Sequence, residues 1–160
     1  MVPLRIYIQA FLLLCAVVVS AGVLSSPVRA NERILSNPNF QLALHGYDPV
    51  AYSADGAARV GRESDELLYE GLVWRFANEG NRIAFEAEPD SYIPAYGGYC
   101  ALAAAEGIAA AAQPDIFAIV GGRVFLFRSP AARYAFLLEA ETLIGRADTL
   151  WLDVIRTLSP

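Results

Sequence analysis

Two short apolar stretches along the chain fold back on themselves at a turn signal. Leu67-Leu68-Tyr69, Glu70-Gly71 and Leu72-Val73-Trp74-Arg75-Phe76 read as strand, turn, strand. Leu72, Trp74 and Phe76 fall on one face by the two-residue period of a strand. Ile116 to Val120, Gly121-Gly122 and Arg123 to Phe127 repeat the pattern. The Gly-Gly pair supplies the positive φ that a tight hairpin demands. A further short strand is expected over Val50–Tyr52, after the turn signal Asp48-Pro49.

The remaining periodic segments read as helices. Asn78 caps one that runs to about Ala87 and ends at Pro89, and Tyr99–Glu106 forms a second, stopped by Gly107. Ser129-Pro130 places an N-cap before a proline at the first helical position, a strong start signal. That helix sets Tyr134, Leu137 and Leu138 on one face, and Gly145 should break it. Asp148 then caps a last helix with an apolar stripe of Leu150, Trp151, Val154, Ile155 and Leu158. The fold class is α+β: small antiparallel hairpins packed with four or so short helices.

The first thirty residues do not share this pattern. Arg5 is the only charged side chain before Arg29, and Ile6 to Leu24 is almost entirely apolar. A basic start, an apolar core and small or modest side chains at Val28 and Ala30 of Val28-Arg29-Ala30 are the marks of a secretory signal. The apolar core is longer than the roughly 7–15 residues usual for a signal and approaches the about 20 needed to cross a bilayer. Residues 1–30 are therefore expected to be a cleaved signal or a retained membrane anchor. Both place the domain in the periplasm or outside the cell, because Arg5 marks a cytoplasmic end. Residues 31–41 form a polar lead-in, and 42–160 a single globular domain, a length that suits one hydrophobic core.

Charge narrows the partners. The whole chain carries a net charge of −5, and losing Arg5 and Arg29 with the leader takes it to −7. Every basic residue is arginine. An acidic surface repels a phosphate backbone, so no nucleic-acid partner is expected. Cys15 lies in the leader, which leaves Cys100 as the only thiol of the domain. No internal disulfide can form there.

Three segments, in order, resemble the YHS domain family. They are Gly46-Tyr47-Asp48-Pro49-Val50-Ala51-Tyr52, then Tyr69-Glu70-Gly71 with Trp74-Arg75-Phe76, then Pro94-Ala95-Tyr96-Gly97-Gly98-Tyr99-Cys100-Ala101. Asn81-Arg82, Phe85, Pro89 and Tyr92 fall where the same pattern places them, and the resemblance runs from about Leu42 to Leu152. The Gly121-Gly122 hairpin and Ala147-Asp148 with Trp151 match the stand-alone exported members. Some members sit in or beside heavy-metal transport proteins, so the resemblance implies metal association. Metal-linked members usually carry a cysteine directly after the Asp-Pro-Val segment, where this chain has Ala51.

Imidazole, carboxylate and thiolate all bind transition metals, which makes His45, Asp48 and Cys100 the candidate metal trio. Their spacing closes no local chelate, and no Cys-x-x-Cys or His-x-x-x-His pair occurs. Tyr47, Tyr96, Gly97, Gly98 and Tyr99 are the candidate small-ligand residues: tyrosines beside permissive backbone can line a groove. A packed aromatic core is the competing account of the same residues. The function expected is an extracytoplasmic YHS-like binding domain without evident catalytic machinery, for a metal ion or small ligand. Two other classes stay open. One is a thiol enzyme or redox protein using Cys100 with His45 as its base; the other is a protein-interaction module.

Overall fold

The structure is a computed structural model, and it describes residues 34–37 and 41–158. The leader lies outside the described residues, so the choice between signal and anchor does too. Among the described residues no helix is long and apolar enough to cross a membrane.

Among the described residues the architecture is α+β, with two small sheets and five α-helices. The first sheet has the order β1-β2-β4-β3, from β1 (Ser36–Asn37), β2 (Leu42–Ala43), β3 (Arg62–Tyr69) and β4 (Leu72–Phe76). β3 and β4 form the expected hairpin, turning through Glu70 and Gly71, both at positive φ. The second sheet is the hairpin of β5 (Gln113–Val120) and β6 (Arg123–Phe127), closed by Gly121-Gly122. The polar lead-in takes part in the fold: β1 pairs antiparallel with β2, and the Leu35 amide donates to the Gly97 carbonyl at 2.7 Å.

The helices are α1 (Pro49–Ala54), α2 (Glu79–Ala87), α3 (Ala101–Ala104), α4 (Pro130–Leu138) and α5 (Ala140–Thr157). The caps read from the sequence are present at α2 and α4. Asn78 accepts from the Asn81 amide at 2.9 Å, and Ser129 from the Ala132 amide at 3.1 Å.

Four expectations are corrected. Val50–Tyr52 is helical, within α1, because Asp48 accepts from the amides of Val50 and Ala51 and so acts as an N-cap with Pro49 at the first helical position. The Asp-Pro pair that reads as a turn before a strand is a helix start. The helix expected over Tyr99–Glu106 shrinks to α3, with Cys100 at its N-cap, because Tyr96 to Gly98 run left-handed immediately before it. Gly145 does not break the C-terminal region. α5 runs through it, and the break falls at Glu139, with φ −136 and ψ 37. A helical glycine costs about 1 kcal/mol, which the buried stripe of Ala147, Trp151, Val154 and Ile155 outweighs. Asp148 is consequently inside a helix and caps nothing. The expected face of Tyr134, Leu137 and Leu138 is present on α4 and points to solvent, since the helix buries Ala132 and Phe136.

Two aromatic clusters organise the core. Phe85 of α2 meets Tyr69, Trp74 and Phe76 with ring centroids 5.6, 4.8 and 5.3 Å away. Phe136 of α4 meets Phe125 and Phe127 at 5.4 and 5.2 Å, and Phe125 continues to Tyr96 at 5.9 Å. Each fully buried ring stabilises the fold by roughly 1.5–3 kcal/mol, with about 0.5–1.5 kcal/mol more from ring pairing.

Candidate functional site

Two of the three segments that resemble the YHS family sit at left-handed turns, the third being the β3–β4 hairpin. Leu44, His45 and Gly46 take φ 48, 54 and 86, and Tyr96, Gly97 and Gly98 take φ 57, 62 and 83. Each turn is closed by a hydrogen bond from the tyrosine that follows it: Tyr47 donates its amide to Leu44, and Tyr99 to Tyr96, both at 3.1 Å. The turns pack together closely. Gly98 has φ +83 and a Cβ there would lie 2.5 Å from Leu44 Cδ2, so a side chain would both strain the backbone and force Leu44 to shift. Three consecutive left-handed residues cost backbone energy wherever a side chain is present. Leu44 and Tyr96 offset that cost by full burial, whereas His45 is exposed.

Asp48 follows the first turn and is fully buried. Its carboxylate accepts four hydrogen bonds. Oδ1 takes the amides of Val50 and Ala51 at 2.8 and 3.3 Å; Oδ2 takes the Ala77 amide at 2.8 Å and the Asn81 side-chain amide at 2.6 Å. One side chain thus joins the start of α1, the end of β4 and the first turn of α2. A carboxylate offers about four lone-pair sites, and these four donors occupy them.

Cys100 follows the second turn and is also fully buried. Its amide donates to Ala110 at 2.9 Å, its carbonyl accepts from Ala104 at 2.9 Å, and it forms a parallel bridge with Leu126 of β6. The metal implied by the family resemblance does not fit these side chains. Asp48 has its oxygens engaged, Cys100 is sealed from solvent and His45 faces outward. Among the described residues no group of three or more His, Cys, Asp or Glu side chains is arranged to hold a metal ion.

The five candidate ligand residues divide. Tyr96, Gly97 and Gly98 belong to the core, while Tyr47 and Tyr99 are half-buried. Tyr99 packs against Trp151 of α5 with the rings tilted, centroids 5.6 Å apart. Tyr96 anchors α5 from the other side. Its ring lies 5.6 Å from that of Trp151, and its hydroxyl donates to Asp148 Oδ1 at 2.9 Å. Burial, then the bond to Asp148, raises the Tyr96 pKa. Tyr52 is likewise held protonated by burial, donating to the Pro114 carbonyl at 2.7 Å.

Sequence reasoning misses one polar constellation. Arg123, the first residue of β6, grips Asp148 with both terminal nitrogens at 2.9 Å. Its guanidinium also lies over the Tyr96 and Phe125 rings, 5.7 and 5.2 Å from their centroids. The bidentate bond to Arg123 lowers the Asp148 pKa, with Tyr96 adding to the effect, and in return raises that of Arg123. Tyr96, Arg123 and Asp148 come from a turn, a strand and a helix, 52 residues apart at the extremes. No local spacing announces them. Asn81 was legible only as part of the family pattern, and its contact with Asp48 spans 33 residues.

No family model, curated protein or solved structure matches this chain significantly.

Proposed function

We propose that the chain is an exported, YHS-like binding domain that acts without a catalytic centre. The observation supporting this reading is a division of labour within the two turn motifs. Their chemically competent groups, the Asp48 carboxylate and the Cys100 thiol, are buried and hold the fold. His45, Tyr47 and Tyr99 of the same motifs reach the surface, while Tyr52 and Tyr96 are buried. Half-buried tyrosines and an exposed imidazole are groups that can hold a small polar or aromatic ligand by ring contact and single hydrogen bonds. Export is part of the same reading and rests on the apolar segment Ile6 to Leu24.

Thiol accessibility tests the proposal. In the native protein Cys100 should react with a disulfide reagent only at the rate at which the domain opens, and fully once urea unfolds it. Stoichiometric labelling of the folded protein within seconds would overturn the reading and favour a thiol enzyme. Chemical-shift mapping with a library of small polar and aromatic compounds should then move His45, Tyr47 or Tyr99 signals before others. Compounds that bind only elsewhere would count against the turn motifs as the ligand face.

A further inference from the structure

We propose that the outer edge of β5 is the contact through which two copies of this chain associate. The two-residue turn sets the hydrogen-bonding phase of the hairpin. Val120 pairs with Arg123 next to the turn and Ala118 pairs with Phe125, so the backbone groups of Val120 and Ala118 face β6. Those of Phe117 and Ile119 face outward. The Arg133 guanidinium, which donates to the Phe117 carbonyl at 3.5 Å, touches this edge. Among the described residues no strand but β6 pairs with β5.

The two long edge strands among the described residues differ in where they are guarded. β3 carries Arg62, Glu63, Asp65 and Glu66 and a register irregularity, all of which discourage pairing. β5 carries Pro114, Asp115 and a register irregularity between Gln113 and Phe117 at its start, whereas from Ile116 to Val120 it carries no charge and no proline. The neighbouring helix continues the same surface. Tyr134, Leu137 and Leu138 of α4 are 68%, 46% and 66% exposed, and Arg133 is the only charge from Pro130 to Leu138. In a chain of net charge −5, a second copy meets carboxylates over much of its approach. Neither Ile116 to Val120 nor α4 contains one.

An antiparallel strand is its own complement about a two-fold axis. With that axis through Ala118, Phe117 lies opposite Ile119 of the second copy on either side, so every outward amide and carbonyl of these residues is paired. Ala118 then faces Ala118 as a non-hydrogen-bonded pair, with Cα atoms about 4.5 Å apart. Ala118 shares a face with Phe125, which packs on Phe136, so both copies of α4 flank the axis on one side of the joined sheet. β5 has eight residues and α4 nine, fewer together than the roughly 20–30 per side of a standard interface. The dimer is therefore weak and concentration-dependent. This inference does not rest on what the turn motifs bind.

The test is cysteine cross-linking of the full-length Cys15→Ser protein in a mild detergent, with copper phenanthroline as oxidant. Ala118→Cys should give a disulfide-linked dimer at least several-fold more abundantly than Glu86→Cys on α2, since a Cα separation near 4.5 Å suits a disulfide. Adding Ile119→Pro to Ala118→Cys removes an outward amide while leaving the ladder to β6 intact, and should abolish the cross-link. Where the proline variant does not melt cooperatively, Ile119→Lys replaces it, setting like charges near the axis. Ala118→Cys yielding no more dimer than Glu86→Cys would overturn the proposal. So would a cross-link that survives whichever of the two Ile119 substitutions melts cooperatively.

Discussion

Replacing Asp48 by asparagine changes one atom of the side chain and should destabilise the fold severely. In the native protein both carboxylate oxygens accept, two donors to each. Asparagine keeps one acceptor oxygen, and in either orientation its amide nitrogen faces two N–H donors. With the oxygen left at the Val50 and Ala51 amides, the Ala77 amide and the Asn81 side chain lose their acceptor. Hydrogen bonds to a charged group contribute roughly 1.5–3 kcal/mol each. The loss of two, partly relieved by local adjustment, comes to about 3–5 kcal/mol, a large fraction of the 5–15 kcal/mol typical of a domain. Urea unfolding followed by tryptophan fluorescence measures it, since Trp74 and Trp151 are both buried. Asn81→Ala alone should cost about 1–3 kcal/mol. In the Asp48→Asn background it should cost much less, because the bond it removes is already gone. An Asp48→Asn cost below about 1 kcal/mol, or strict additivity of the two changes, would refute the role of Asp48 as the joint between α1, β4 and α2.

Three further outcomes follow from the same geometry. Gly98→Ala combines a clash with Leu44 Cδ2 at 2.5 Å with a φ of +83, and thermal melting should show a loss of about 2–4 kcal/mol. His45→Gly relieves a left-handed conformation at an exposed position with φ 54, so the protein should gain up to about 1 kcal/mol in a urea titration; a loss instead would show that the imidazole holds the turn. Asp148 has a lowered pKa in the folded state, caused first by Arg123. The stability it contributes is therefore present above the unfolded carboxylate value and lost as pH falls through the folded value. Asp148→Asn should reduce stability at pH 7 and flatten the acid limb of a stability–pH curve, and identical limbs in the two proteins would contradict the assignment.

Much of this fold is local physics and could be read in order along the chain. Gly121-Gly122 and Glu70-Gly71 announce their hairpins because two-residue turns need positive φ. Asn78 and Ser129-Pro130 announce helix starts because the first turn of a helix leaves amides that a nearby side chain can satisfy. The candidate site was legible only as a set of segments. Their order along the chain named Asp48, Tyr96 and Cys100 but not what each would touch. Where one local signal served two structures, the sequence was ambiguous: Asp48-Pro49 suits both a turn and an N-cap. Periodicity likewise placed Tyr134, Leu137 and Leu138 together on one face of α4 without saying whether that face turns inward.

Those ambiguities were decided by contacts across long separations. Phe136, not Leu137, meets Phe125 and Phe127, and that sets the rotation of α4. The Ala77 amide and the Asn81 side chain arrive at Asp48 from distant segments and complete its four bonds, turning a plausible metal ligand into a structural joint. Arg123 and Tyr96 converge on Asp148 and dock α5, whose buried stripe carries the helix through Gly145. Residue types and their local spacing determine which elements can form. Only the packing of the elements against one another determines which polar groups are buried, and a buried carboxylate fully occupied by amides is no longer available to a ligand.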